Sequence, residues 1–166
     1  MDISLSCHEF NHGKQSFQQY GLTMSVTNAQ LSTQQPYMRV LLIEDSALLR
    51  ETIMETLSSC DGLVFDGVAA TQSEAFKILR DRPFDFLLVD IELAEGNGFE
   101  VIRMTQREDF PYPRPKYMIL TNHAHPHYRQ EAQTLGVDYF FDKSMDFDKA
   151  IDTLEAEVKK FVPEND

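Results

Sequence analysis

Basic residues are scarce in this chain. Fifteen Lys and Arg stand against 27 Asp and Glu, for a formal net charge of −12. A nucleic-acid binder needs basic surface against phosphate, so this balance argues against one and suits metal cations or a basic partner. Cysteine is scarcer still. Cys7 and Cys60 lie far apart without metal-ligand spacing, and isolated thiols of this kind fit a reducing cytosol. No apolar run reaches the 18 or so residues of a membrane-spanning helix. The amino terminus has no charged segment followed by an apolar one, which argues against a secretory signal. These absences together read as a cytoplasmic protein that touches neither membrane nor nucleic acid. Tryptophan is missing altogether, which removes tryptophan quenching as a binding assay.

What is present divides in two. Residues 1–37 are dominated by Gln, Ser, Thr and Asn, with apolar residues scattered without period. Such a segment cannot bury enough surface to offset its chain entropy and reads as a flexible, disordered tail, with at most a weak helix near Ser16–Tyr20. Met38 stands directly before the first apolar run, so a start of translation there is one reading and a working tail the other. The first 38 residues carry a charge of −1, which leaves −11 for the remainder. Residues 38–163 are expected to form one folded domain.

Apolar runs and helical patterns alternate through that domain. Strands are expected at 39–44, 63–69, 86–89, 117–121 and 139–141. The second is placed at a sheet edge because of Gly67. Helices are expected at 47–59, capped by Ser46, at 71–80, with Thr71 and Glu74 as a capping box, at 98–106, at 126–135, ended by Gly136, and at 146–161. Leu48, Leu49, Ile53 and Leu57 would face inward from the first, and Phe147, Ile151, Leu154, Val158 and Phe161 from the last. Five strand–helix alternations argue an α/β, doubly wound parallel sheet with helices on both faces.

The central stretch is Phe84–Gly98, FDFLLVDIELAEGNG. An unbroken apolar run fits a strand buried on both faces, and it ends on Asp90. The other runs end on Glu44 and Asp45, on Thr121 and on Lys143. In a parallel sheet all these ends share one rim, where open α/β folds bind ligands. Three carboxylates there repel, by roughly 4 kcal/mol for two charges about 4 Å apart at an effective dielectric of about 20. A hard divalent cation relieves this. Glu44, Asp45 and Asp90, with the backbone carbonyl of Glu92, therefore read as a Mg²⁺ site. Lys143 and Thr121 would take the remaining oxygens of a phosphoryl group, with Asp90 as the carboxylate nucleophile. Each element alone has a blander reading, as a helix cap, an acidic flank or a surface lysine. The specificity lies in four of them, in order, on successive strands.

On these residues the chain from about Met38 to Val162 resembles the receiver domain of two-component response regulators, especially single-domain, chemotaxis-type ones. The acidic pair Glu44–Asp45, the phosphoacceptor Asp90 with its loop IELAEGNG, the switch residue Thr121 and Lys143 in GVDYFFDK carry the likeness. The resemblance implies a flavodoxin-like five-stranded parallel sheet of order 2-1-3-4-5. It implies a phosphoprotein in phosphorelay signal transduction, phosphorylated at Asp90 by a sensor histidine kinase or histidine phosphotransfer protein, with Mg²⁺ as cofactor. Such a protein catalyses only its own phosphorylation and dephosphorylation. Its output would be protein contact with an unknown downstream partner through the last two helices and the strand between them. Phe140 falls at the position of the switch aromatic. Ser144 replaces the usual Pro after the lysine, Ala94 the usual Pro in the phosphoacceptor loop, and Asn122 a smaller residue. These departures motivate a rival, a pseudo-receiver adaptor that works without phosphate. A haloacid-dehalogenase-type hydrolase is disfavoured because Glu92 stands where its second loop acid belongs and no cap domain is present. His123, His125 and His127 have the alternation of a metal site but no evident fourth ligand, and read as a polar exposed loop.

Overall fold

The computed structural model describes residues 36–162. The expected disorder and weak helix of the amino-terminal segment, and the expected end of the domain at residue 163, lie outside the described residues. Five strands, β1 (Met38–Ile43), β2 (Leu63–Ala69), β3 (Phe86–Val89), β4 (Lys116–Thr121) and β5 (Tyr139–Asp142), alternate with five helices. These are α1 (Ala47–Thr56), α2 (Gln72–Asp81), α3 (Gly98–Thr105), α4 (Pro126–Thr134) and α5 (Phe147–Phe161). All pairings are parallel and the sheet order is β2-β1-β3-β4-β5, the doubly wound order expected. No described helix is long and apolar enough to cross a membrane.

Two cores follow from the two-residue period of the strands. Leu41, Ile43, Leu87, Val89, Tyr117 and Ile119 point to one face and pack with residues of α2, α3 and α4. Val40, Leu42, Phe86, Leu88, Met118 and Leu120 point to the other and pack with α1 and α5. All four residues of β3 are buried, which is why that strand shows no alternation and lies at the centre. Each such side chain contributes about 1.5–3 kcal/mol by leaving water.

The caps are where the sequence put them. Ser46 accepts from Leu49 N, and Thr71 accepts from Glu74 N. The Glu74 side chain closes back on Ala70 N. Gly136 takes φ 67° after α4. Strand β2 is an edge, and its register against β1 skips Asp66. Gly67 then lies so close to Leu41 that an added Cβ would sit 2.9 Å from its side chain, so the glycine belongs to close packing at a bulge.

Two inward expectations fail. Leu48 is 75% exposed, because the buried stripe of α1 runs through Leu49, Ile53 and Leu57, and Leu48 lies about 100° round the helix from Leu49. Phe161 is 40% exposed at the last residue of α5. Helix α1 also stops at Thr56, with Leu57 as its C-cap, short of Ser59.

One buried acid ties α5 to the sheet. Glu157 accepts from Lys116 Nζ at 2.5 Å, Tyr139 Oη at 2.7 Å and Lys160 Nζ at 2.8 Å. Burial opposes its charge, but these three donors outweigh burial and bring its pKa down to about 2. The same hydrogen bond pushes Tyr139 up to about 12. A depressed carboxylate gives stability that is complete above its unfolded pKa and lost as pH falls through the folded one. Urea unfolding of the wild type should therefore lose about 3 kcal/mol between about pH 4.5 and 2 on account of this group. Glu157→Gln should unfold more easily at pH 7 and show a flatter profile across that window.

Candidate functional site

The sheet register delivers the polar residues to one rim. Ile43 pairs with Val89, and Val89 with Ile119, so the residues that follow β1 and β3 emerge side by side. Asp90 N donates to Ile43 O at 2.9 Å, and Lys143 N donates to Thr121 O at 3.0 Å. Backbone pairing, before any side chain is considered, thus seats Asp90 between the ends of β1 and β4 and anchors Lys143 to the end of β4.

The side chains close on one ammonium. Lys143 Nζ lies 2.6 Å from Glu44 Oε2 and 2.6 Å from Asp90 Oδ2. Glu44 is 3% exposed, Asp90 6%, and the Lys143 side chain 10%. Glu44 Oε1 accepts from Ser46 N at 2.9 Å. Burial raises the Glu44 pKa above the ordinary carboxylate value despite Lys143 and the Ser46 amide. Burial also works against the Lys143 charge, but the hydrogen bonds it donates to Asp90 and Glu44 prevail and its pKa rises. The ammonium is therefore fixed in its charged form. Ser144, where proline was the expected residue, is held locally. Asp142 Oδ1 accepts from both Ser144 N and Ser144 Oγ, at 2.8 and 2.6 Å, and holds the turn that carries the lysine.

One positive charge does not balance this rim. Glu44, Asp45 and Asp90 each offer a carboxylate oxygen within 4.8 Å of the others, and among the described residues they are the one such group of three or more His, Cys, Asp or Glu. Asp45 is exposed and opens the cluster to solvent. Asp90 Oδ1 is buried and has no hydrogen-bond partner among the described residues. A buried acceptor without a donor costs about 1–3 kcal/mol or more, and the remedy at an all-oxygen cluster is a hard cation. The donor set fits one.

The loop after Asp90 is closely built. Gly98 N donates to Ile91 O at 2.9 Å, and Glu92 faces Asn97 in an isolated antiparallel bridge. Asn97 caps α3 by accepting from Phe99 N. A Cβ at Gly98 would fall 2.1 Å from Asp90 O, so only glycine lets α3 start this near the acid. Ala94 N, where proline was the expected residue, donates to Ala70 O at 3.2 Å, a contact that proline could not make.

Thr121 is fully buried, and its hydroxyl accepts from His123 N at 3.1 Å. Phe140 is half-buried, pairs with Ile119 across the sheet, and carries the Arg129 guanidinium 4.7 Å from its ring centre. Asn122 is exposed. The three histidines do not form a ligand set. His123 Nε2 meets Glu92 Oε1 at 3.2 Å, His125 precedes α4 and His127 lies within it, and their rings gather around Tyr128. Arg50 was not foreseen. It donates to the carbonyls of Glu44 and Asp45 at 2.7 and 3.0 Å and fixes the backbone of the acidic pair. A basic residue one turn into the helix after two acids was the available signal.

The family model for the response regulator receiver domain matches residues 40–155. The transcriptional regulatory protein CrdR of Helicobacter pylori is 29% identical over 123 residues, 74% of this chain and 54% of that protein. Protein-glutamate methylesterase/protein-glutamine glutaminase 1 of Syntrophus aciditrophicus is 37% identical over 76 residues, 45% of this chain and 21% of that one. The chain thus spans about half the length of the first relative and about a fifth of the second. Among solved structures, the non-phosphorylated HemR receiver domain from Leptospira biflexa superposes with a TM-score of 0.61 at 29% identity, covering 76% of this chain and 98% of that one. Fold, acidic rim and family match agree, and the chain belongs to the response regulator receiver domain family.

Proposed function

We propose that Asp90 is the phosphoacceptor of a receiver in which residues 38–163 form the signalling domain, and that a sensor histidine kinase or histidine phosphotransfer protein supplies the phosphoryl group. The observation that carries this is the state of Asp90 itself. It is a buried carboxylate at the end of the central strand, with one oxygen on Lys143 and the other without a donor among the described residues.

In the reaction an Asp90 oxygen attacks the phosphorus of the donor. The P–O bond forms as the P–N bond to the donor imidazole breaks, and the departing nitrogen keeps the electron pair. The Lys143 ammonium, held charged by its two carboxylates, neutralises oxygens of the incoming group. The Thr121 hydroxyl, once its oxygen leaves His123 N, donates to another. Mg²⁺, held by Glu44, Asp45, Asp90 and the Glu92 carbonyl, would supply the positive charge that three carboxylates and a phosphoryl group require. Attack of water on phosphorus later returns inorganic phosphate and free Asp90. Withdrawal of Thr121 toward the phosphoryl group frees space beside β4, and Phe140 turns into it. This shifts the population of the face formed by α4, β5 and α5 on which a downstream protein would dock.

Intact mass spectrometry after incubation with acetyl phosphate and Mg²⁺ should show a gain of one phosphoryl group. The gain should vanish in Asp90→Asn and in chelator; a folded wild type that takes none from either acetyl phosphate or a kinase would favour the phosphate-independent adaptor. Lys143→Met leaves Glu44 and Asp90 buried together without a counter-charge. It should lower stability by about 3 kcal/mol at pH 7, read by urea unfolding, and millimolar Mg²⁺ should restore part of that loss.

A further inference from the structure

The loop that follows Asp90 is gripped by a helix that takes no direct part in the site. Gln72 is the first residue of α2. Its side-chain Oε1 accepts from Asn97 N at 2.9 Å, and its backbone N donates to Glu95 O at 2.9 Å. Ser73 N reaches Glu95 Oε2 at 3.3 Å. Gly96, at φ 81°, lies flat against the Gln72 side chain, so that a Cβ there would come within 2.3 Å of Gln72 Cβ. Gln72 itself cannot drift, because the capping pair Thr71 and Glu74 fixes the turn on which it stands. Asn97, the residue it holds, sits directly opposite Glu92 in the bridge that closes the loop.

From this we infer that Gln72 is a positioning residue for the metal. By holding Asn97, and through the bridge Glu92, it sets where the Glu92 backbone carbonyl stands relative to the three carboxylates. The inference rests on the phosphoacceptor reading above, since it concerns the same cation. The alternative is that Gln72 merely fills space over Gly96. Side-chain shape and the accepted hydrogen bond can be separated. Gln72→Met keeps length and volume and removes the acceptor, whereas Gln72→Glu keeps an acceptor in the same place.

The test is calorimetric titration of the full chain with Mg²⁺ alone, for wild type, Gln72→Met, Gln72→Glu and Asp90→Asn. It is paired with the Mg²⁺ concentration that half-saturates phosphorylation by acetyl phosphate, and with thermal unfolding without metal. Groups that orient a metal ligand without touching the ion change affinity by roughly tenfold or more. Gln72→Met should therefore bind Mg²⁺ about tenfold more weakly and need about tenfold more for half-saturation, yet reach the wild-type extent of phosphorylation at saturating Mg²⁺. Gln72→Glu should bind at least as well as wild type, and both Gln72 variants should unfold near the wild-type temperature. Wild-type affinity in Gln72→Met, with binding weakened in Asp90→Asn, would overturn the inference and leave the phosphoacceptor reading standing. Equal weakening in Gln72→Met and Gln72→Glu would also overturn it, by showing that the accepted hydrogen bond is not what matters. A wild type that binds no Mg²⁺ would overturn the underlying reading as well.

Discussion

Three acids and one ammonium meet at the end of a parallel sheet, and the rest of this structure serves that meeting. Two of the acids, Glu44 and Asp90, are buried and share Lys143; the third, Asp45, faces solvent. Carboxylates this close repel strongly and are costly to take out of water. The cluster persists because the strands that carry it are fixed by everything below the rim. Two apolar layers hold β1 and β3 side by side. A bond from Asp90 N to the end of β1 and another from Lys143 N to the end of β4 leave the four residues little freedom to separate. The imbalance that remains is a buried Asp90 oxygen with no donor among the described residues, and on the function proposed above it is where a ligand would bind.

The opposite end of the sheet handles a buried acid differently. Glu157 receives three donors, from the starts of β4 and β5 and from its own helix, and its charge is fully compensated. Glu44 has Lys143 and a single amide, and burial keeps its pKa raised. The contrast separates a carboxylate that fastens a helix from carboxylates held short of partners. The first adds stability over the neutral range.

Much of this was legible in the residues. The solid apolar run of β3 told that the strand is buried on both faces, and the acids, hydroxyl and lysine at the ends of four runs told what the rim holds. Caps at Ser46 and Thr71 and the glycine after α4 are local signals and were read at their places. What the sequence hid was long-range. The grip of Gln72 on Asn97 joins residues 25 apart, and the pairing of Lys116 with Glu157 spans 41; no local pattern marks either. Leu48 misled because, beside Leu49 in the first turn of a helix, it looks as apolar as a core residue while lying off the buried stripe. The substitutions at Ala94 and Ser144 suggested a weakened site, and the structure shows local replacements, a backbone bond to Ala70 and a turn held by Asp142.

The central claim is that Asp90 presents the free oxygen on which a phosphoryl group arrives with its cation. The most direct measurement is a crystal structure of the protein soaked with Mg²⁺ and beryllium fluoride, a stable mimic of a phosphorylated carboxylate. The account predicts a beryllium–oxygen bond to Asp90, with Lys143 and Thr121 donating to fluorines and the cation among Glu44, Asp45 and Asp90. A folded protein whose Asp90 stays free at saturating reagent, or whose adduct forms on another carboxylate, would contradict it.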